Sequence, residues 1–281
     1  MKRRAHACVL AGAALLAGAS LALAQQATDK SFRVCADPNN LPFSAHDGSG
    51  FENKIAALIA ADFGKEVEYA WRPQRRAFIR NTLKAGACDV SMGVPASLEM
   101  LATTRPYYRS TYVFVYRTDR GYGTLSSIRD PRLRDISVGV QLIGDDGYNS
   151  PPAHALSEQG IIANLVGYTV YGDYREANPP ARIVDAVANG TVDVAAVWGP
   201  LAGYFARRAP VPLAVTPITD TAGFKPLRFQ YDIAVGVRKG DPLKPRIDEA
   251  LGRHLDVITR LLDDYGVPRV VNDGAEIGNA D

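Results

Sequence analysis

The sequence predicts an α/β fold of two similar lobes, each a mostly parallel sheet flanked by helices. Three observations lead there. Apolar runs at strand spacing alternate with runs at helical spacing, the order that yields parallel strands joined by right-handed crossovers. Two helix-to-strand turns, Gly86-Ala-Cys-Asp89-Val90 and Gly190-Thr-Val-Asp193-Val194, carry Gly, Asp and Val at identical offsets. The stretch Arg33 to Ser44, RVCADPNNLPFS, begins as an apolar strand and breaks into a turn at Asp37-Pro38-Asn39-Asn40. A strand that ends this way ahead of a helix puts its last residues at the carboxyl edge of a parallel sheet, where open α/β proteins bind ligands.

The chain opens with Lys2-Arg3-Arg4 and an apolar run from Ala7 to Leu23 that closes on Leu21-Ala22-Leu23-Ala24. Charged, apolar and small-residue regions in that order describe a secretory signal peptide over residues 1–24, cleaved after Ala24, which directs the chain to the periplasm. The run is short for a bilayer span, and no later stretch is long and apolar enough to cross a membrane.

Beyond the first strand, Phe51, Ile55, Leu58, Ile59 and Phe63 recur at helical spacing, with Ser49 and Glu52 spaced as a capping box and Gly64 as the stop. Val67, Tyr69 and Trp71 alternate as a strand, and Phe78, Ile79, Thr82 and Leu83 return to helical spacing before Gly86. Val90, Met92 and Val94 form a third strand, and Thr111 to Arg117 a long β-branched and aromatic one. A second series follows: a strand at 136–140, a helix opening at Pro151-Pro152, a strand near 168–171, a helix from Pro179 to Asn189 and a strand at 192–197. Tyr231 to Val237 is another strand, and Leu243, Ile247, Leu251, Leu255, Ile258, Leu262 and Tyr265 mark a long terminal helix. In both echoed turns Gly supplies the left-handed helix stop and Asp starts the strand.

The chain has 281 residues, 47% of them hydrophobic, with a formal charge of +2. Loss of Lys2, Arg3 and Arg4 with the leader brings that balance to about −1, so the basic excess belongs to the leader and nucleic acid is not an expected partner. Of the three cysteines, Cys8 leaves with the leader. Cys35 and Cys88 remain, an even pair in an exported chain, which form a disulfide if their strands are neighbours and stay two buried thiols if not.

Motifs for chemistry are missing. There is no Gly-x-Ser-x-Gly elbow, phosphate loop, dinucleotide fingerprint or haem-attachment Cys-x-x-Cys-His, so no cofactor is expected. His46, His154 and His254 lack metal-ligand spacing. Asp145-Asp146 reads as a solvated acidic turn or a contact for a hard cation. Arg75 and Arg76, just after the second strand, read either as rim residues of the cleft, where Arg pairs well with a partner's carboxylates, or as a solvated helix start.

Longer motifs carry a resemblance. ADPNNLPFS, FENKIAALIAADFG, WRPQRRAFIRNTLKAGACDVSMGVP, TRPYYRSTYVFV and DVAAVWGPLAGY resemble the quinoprotein alcohol dehydrogenase-associated binding proteins, the MxaJ and XoxJ type, on the two-lobed type 2 periplasmic binding-protein fold. The resemblance implies crossing strands at 112–117 and 230–235. Lobe 1 would comprise 30–116 and 228–270, lobe 2 would comprise 117–227, and 271–281 would form a tail.

Departures from amino-acid receptors of that fold are informative. Where those carry an arginine that clamps the ligand carboxylate, this chain has Met100. Trp198 stands where their aspartate meets the ligand ammonium, and Asp145-Asp146 falls in the turn that offers them backbone N–H groups. All three changes remove zwitterion recognition and leave a cleft of Asp37, Asn39, Phe43, Met100, Tyr107 and Trp198, with Arg75 and Arg76 on its rim. The resemblance then implies a non-catalytic periplasmic accessory protein that docks on a PQQ-dependent methanol or alcohol dehydrogenase, with its cytochrome c as a further partner, and assists maturation, activation or assembly. The alternative is an ABC-transporter receptor for a small non-amino-acid solute. A dehydratase-like enzyme would have only Asp37 and Glu99 as cleft-edge carboxylates in the first lobe.

Overall fold

In the computed structural model, which describes residues 30–143, 148–171, 174–270 and 277–278, every main strand joins one curled sheet. The first lobe holds β1 (Ser31–Ala36), the two-residue β2 (Asn39–Asn40) and β3 (Ser44–Ala45), helix α1 (Phe51–Asp62), β4 (Glu66–Trp71), the one-turn α2 (Phe78–Asn81), β5 (Val90–Pro95) and β6 (Ala102–Thr103). Strand β7 (Tyr108–Arg117) leads to the second lobe, which holds β8 (Val138–Ile143), β9 (Tyr148–Asn149), α3 (Pro151–Glu158), β10 (Leu165–Thr169), α4 (Arg182–Ala188), β11 (Val194–Trp198), α5 (Gly199–Ala206) and β12 (Leu213–Pro217). The chain returns through β13 (Gln230–Val237), α6 (Leu243–Arg253), α7 (Leu255–Asp264), β14 (Arg269–Val270) and β15 (Ile277–Gly278).

Both lobes repeat one arrangement. In the first, β1 lies parallel between β4 and β5; in the second, β8 lies parallel between β10 and β11. The echoed turns do the same work in each. Gly86 and Gly190 take φ of +76° and +80°, the left-handed region that favours Gly. Asp89 then accepts from the Arg33 guanidinium at 2.6 and 3.1 Å, tying β5 to β1. Asp193 accepts from Ser137 N at 2.9 Å and Ser137 Oγ at 2.6 Å, tying β11 to β8.

Two strands meet at the junction. The first half of β7 pairs antiparallel with β13, from Tyr108 opposite Ile233 to Thr111 opposite Gln230, while its second half pairs with β11 and β12. β7 is buried on both faces: Tyr112, Phe114 and Tyr116 face one second-lobe core, and Val113 and Val115 join the core that continues into the first lobe. That is why TYVFVY reads as an unbroken apolar run rather than an alternating one.

Helix α1 buries Phe51, Ile55, Ala56 and Ile59 at 0–1% exposure against the sheet and the terminal helices. On the sheet's other face Cys35 and Cys88 form a disulfide, their Cα atoms 5.5 Å apart, inside a cluster with Phe78, Leu83, Val94 and Leu101. β1 and β5 are neighbours, which resolves the cysteine alternatives in favour of the bond.

Several local readings shift. The capping box at α1 is made by Asn53, whose Oδ1 accepts from Gly50 N at 3.2 Å and Ala45 N at 2.9 Å, which releases Glu52 to turn inward. Helix α2 stops after one turn because Thr82 Oγ1 donates back to the Phe78 carbonyl at 2.6 Å, a local alternative to helix propagation. The terminal helix divides at His254, where Asp62 accepts from Arg253 at 2.7 Å and lies 3.0 Å from His254 Nε2. β7 begins at Tyr108, so Tyr108 and Arg109 lie within the strand. Helix α5 and strand β12 had no expectation attached, and Asp145-Asp146 falls outside the described residues.

Candidate functional site

The carboxyl ends of β1 and β5, the start of α1 and the tip of β11 converge on an inner cavity of about 80 Å³. The Asp37-Pro38-Asn39-Asn40 turn is held by its own carboxylate. Asp37 Oδ1 accepts from Asn39 N at 2.9 Å, Oδ2 accepts from Gln74 N at 2.7 Å, and the Asp37 carbonyl accepts from Ser44 Oγ at 2.7 Å. Asn40 Nδ2 donates to Gln74 Oε1 at 2.8 Å. These bonds fix the turn as one rigid edge of the cavity.

The second lobe reaches the same turn. Tyr174 donates to Asp37 Oδ1 at 3.1 Å, and Asn39 Nδ2 donates to the Glu176 carbonyl at 2.9 Å. Trp198 N donates to Gln141 Oε1 at 3.1 Å, which fixes the backbone at the tip of β11. The Trp198 ring meets Tyr112 edge to face at 5.3 Å and Tyr231 at 5.8 Å. The indole is therefore part of the aromatic packing at the junction as well as a cavity wall.

Glu52 is the unexpected member. It sits at the second position of α1, is 9% exposed and lines the cavity beside Gly93, where a Cβ would lie 2.1 Å from Glu52 Oε1. Gly93 has φ +67°, and its N–H donates to the Tyr107 hydroxyl at 3.1 Å. Burial alone pushes the Glu52 carboxyl up to about 8, so at neutral pH it is mostly protonated. Burial first, then the charges of Glu52 and Asp37, pushes Tyr171 up to about 12.

Outside this cavity a larger groove of about 570 Å³ runs over α2 and β5. Phe78, Val94, Leu98 and Met100 supply its apolar lining, and Arg75, Arg76 and Arg80 its charge. The two spaces adjoin through Gln74, Phe78, Ser91, Gly93 and Tyr171, which line both.

The structure thus divides the eight residues expected at one cleft. Asp37, Phe43 and Trp198 line the inner cavity; Arg75, Arg76 and Met100 line the outer groove. Asn39 bridges the lobes and Tyr107 backs the cavity wall through Gly93. Glu99 is exposed and lines neither space. The residues that sequence reasoning missed are Glu52, Asn40 and Tyr171. Glu52 carried a signal: with Ile55, Ala56 and Ile59 it falls on the i, i+3, i+4, i+7 stripe that packs inward.

A two-lobed α/β frame with a cavity where its lobes meet is the frame of a binding protein. Among the described residues no group of three His, Cys, Asp or Glu is placed to hold a metal, and no helix is long and apolar enough to cross a membrane. Residues 32–263 match the bacterial extracellular solute-binding proteins, family 3, and the chain belongs to that family. It is 32% identical over 295 residues to protein MoxJ of Methylorubrum extorquens, across 95% of this chain and 96% of that one. It is 34% identical over 270 residues to protein MoxJ of Paracoccus denitrificans, across 92% and 95%. Its fold matches the crystal structure of the periplasmic binding protein XoxJ from Methylobacterium extorquens AM1 with a TM-score of 0.70 at 31% identity, covering 86% of this chain and all of that one.

Proposed function

We propose that this chain is a non-catalytic periplasmic accessory protein that docks on a PQQ-dependent alcohol dehydrogenase of the methanol-oxidising kind and assists its maturation, activation or assembly. Its cytochrome c is a further candidate partner. The dehydrogenase enters through the resemblance to the MxaJ and XoxJ type. The observation that carries the reading is the contrast between the two spaces. The inner cavity, at about 80 Å³, is far below the roughly 300–1,000 Å³ of ordinary small-molecule sites, and no Lys, Arg or His among the described residues lines it. A free amino acid finds neither room nor a guanidinium there. The groove beside it is about 570 Å³, apolar along Val94, Leu98 and Met100 and bordered by exposed Arg75 and Arg76. That combination fits a protein segment bearing an apolar side chain and a carboxylate.

The test is direct binding of purified methanol dehydrogenase to the immobilised chain near 0.15 M salt. The wild type should bind, and the double variant Arg75→Glu, Arg76→Glu should weaken binding at least about tenfold, mainly through the on-rate. No binding by the wild type, or an unchanged affinity in the charge-reversed variant, rejects the docking face. A saturable rise in melting temperature with one solute from a transport panel, together with no dehydrogenase binding, would favour a transport receptor instead.

A further inference from the structure

The inner cavity is small, but its wall is chemically one-sided. Its polar side chains include Asp37 at 2% exposure, Asn40 at 2% and Glu52 at 9%, and no cationic side chain among the described residues borders it. Asn40 Oδ1 is buried and has no hydrogen-bond partner among the described residues, while its Nδ2 is taken by Gln74. Burial is the sole cause acting on the Glu52 carboxyl. A buried acceptor without a donor, such as Asn40 Oδ1, carries a free-energy penalty until a donor reaches it. Much of the remaining wall is aromatic, from Phe43, Phe78, Tyr108, Tyr171 and Trp198, with Ser44, Gln74 and Ser91 as further polar members. Ring faces attract cations and tolerate a short alkyl group.

We propose that the inner cavity binds a small primary alkylammonium ion, with Glu52, Asp37 and Asn40 Oδ1 as acceptors for its N–H groups and the aromatic rings around its carbon atoms. An alkylammonium brings three donors and one positive charge on a compact head. A volume of about 80 Å³ suits a ligand of only a few heavy atoms. An anion is excluded by the acidic wall. A neutral alcohol of the same size offers one donor and no charge. The site differs in kind from the docking groove, and the proposal does not depend on the docking reading.

Binding is coupled to a proton. The titratable groups facing Glu52 are Asp37 on the turn after β1, Tyr69 on β4, Tyr107 and Tyr108 on β7, and Tyr171 beyond β10. None of them is basic, so Glu52 is mostly protonated in the free chain near neutral pH. An arriving ammonium favours the ionised carboxylate, and the displaced proton passes to solvent. Affinity therefore rises with pH up to about 8 and levels off above.

The experiment is calorimetric titration of the purified chain at pH 7 with ethylammonium chloride, in two buffers of different ionisation enthalpy. Ethanol serves as the neutral isostere and tetraethylammonium chloride as the oversized cation. Ethylammonium should bind saturably, at least about tenfold more tightly than ethanol, and release up to roughly one proton per site, while tetraethylammonium should not bind. Glu52→Gln should lose about tenfold in ethylammonium affinity and abolish the proton release. Absence of saturable ethylammonium binding, equal affinity for ethanol, or unchanged affinity and proton release in Glu52→Gln would each overturn the proposal. The wild-type contrast between ethylammonium and ethanol decides the matter even if the variant folds poorly.

Discussion

Glu52→Gln should make the ligand-free protein more stable at neutral pH, and by an amount set by burial. In the folded chain the carboxyl is pushed from its ordinary 4.5 up to about 8. Between those values the unfolded chain has given up a proton that the folded chain keeps. Each pH unit above about 4.5 therefore costs the folded state about 1.36 kcal/mol. The contribution is intact below about 4.5, drains away as pH climbs through about 8, and is flat beyond. At pH 7 the accumulated cost is about 3 kcal/mol, an upper value because Glu52 borders a cavity that solvent can enter. Glutamine has the same shape and never ionises, so the variant should match the wild type at pH 4 and exceed it by up to about 3 kcal/mol at pH 7. Urea denaturation followed by the fluorescence of Trp71 and Trp198, run on both proteins from pH 4 to 8, measures the difference. Taking the difference cancels the contributions of ion pairs such as Arg33–Asp89 that both proteins share. A gap that does not widen with pH, or a variant less stable at pH 7, would refute the argument that burial controls this carboxyl.

Two further changes test the frame around the site. Cys35→Ala with Cys88→Ala opens a cross-link between residues 53 apart in sequence and should cost roughly 4 kcal/mol in the chain-entropy account, read as a lower urea midpoint than the oxidised wild type. Gly93→Ala places a methyl group 2.1 Å from Glu52 Oε1 at a φ of +67°, so it should lower stability by about 1–3 kcal/mol in the same assay and weaken ethylammonium binding.

The frame was legible because its signals are local and repeat. Alternating apolar runs gave the parallel strands, and the Gly-x-x-Asp-Val turns revealed that the two lobes share a plan that Asp89 and Asp193 enforce in the structure. The site was only half legible. Asp37, Phe43 and Trp198 lie at strand ends, where the fold itself directs attention. Glu52 was assigned to a cap because its spacing from Ser49 fits one, yet Asn53 takes that role and the carboxyl turns inward. Spacing alone cannot say which of two adjacent polar residues faces the backbone. Tyr171 was hidden for a different reason: it belongs to the other lobe, and the approach of Tyr174 and Glu176 to the 37–39 turn is a tertiary fact with no trace in local sequence. The missed helix α5 is apolar nearly all round, with Gly199, Leu201, Ala202 and Phe205 buried, so it shows no amphipathic stripe.

The division of labour between the lobes has a physical consequence. The acceptors of the inner cavity, Asp37, Asn40 and Glu52, all come from the first lobe, whereas the second contributes Tyr171 and Trp198. Among the described residues, the polar ties across the 37–39 turn include one hydrogen bond from Tyr174 and one to the Glu176 carbonyl. At about 1 kcal/mol each, these are small beside the continuous apolar core through β7 that joins the lobes. The junction is therefore the stable part and the rim the soft part. Occupation of the inner cavity by a cation would add contacts on both sides of that rim at once, because acceptors on one lobe and rings on the other converge on the same ion. The outer groove runs along α2, β5 and the segments beside them, and among the described residues Tyr171 is the one second-lobe side chain that both spaces share. The Tyr171 hydroxyl accepts from Gln141 Nε2 at 3.5 Å, so Tyr171→Phe, which keeps the ring and removes only the hydroxyl, separates its packing role from its hydrogen bonding.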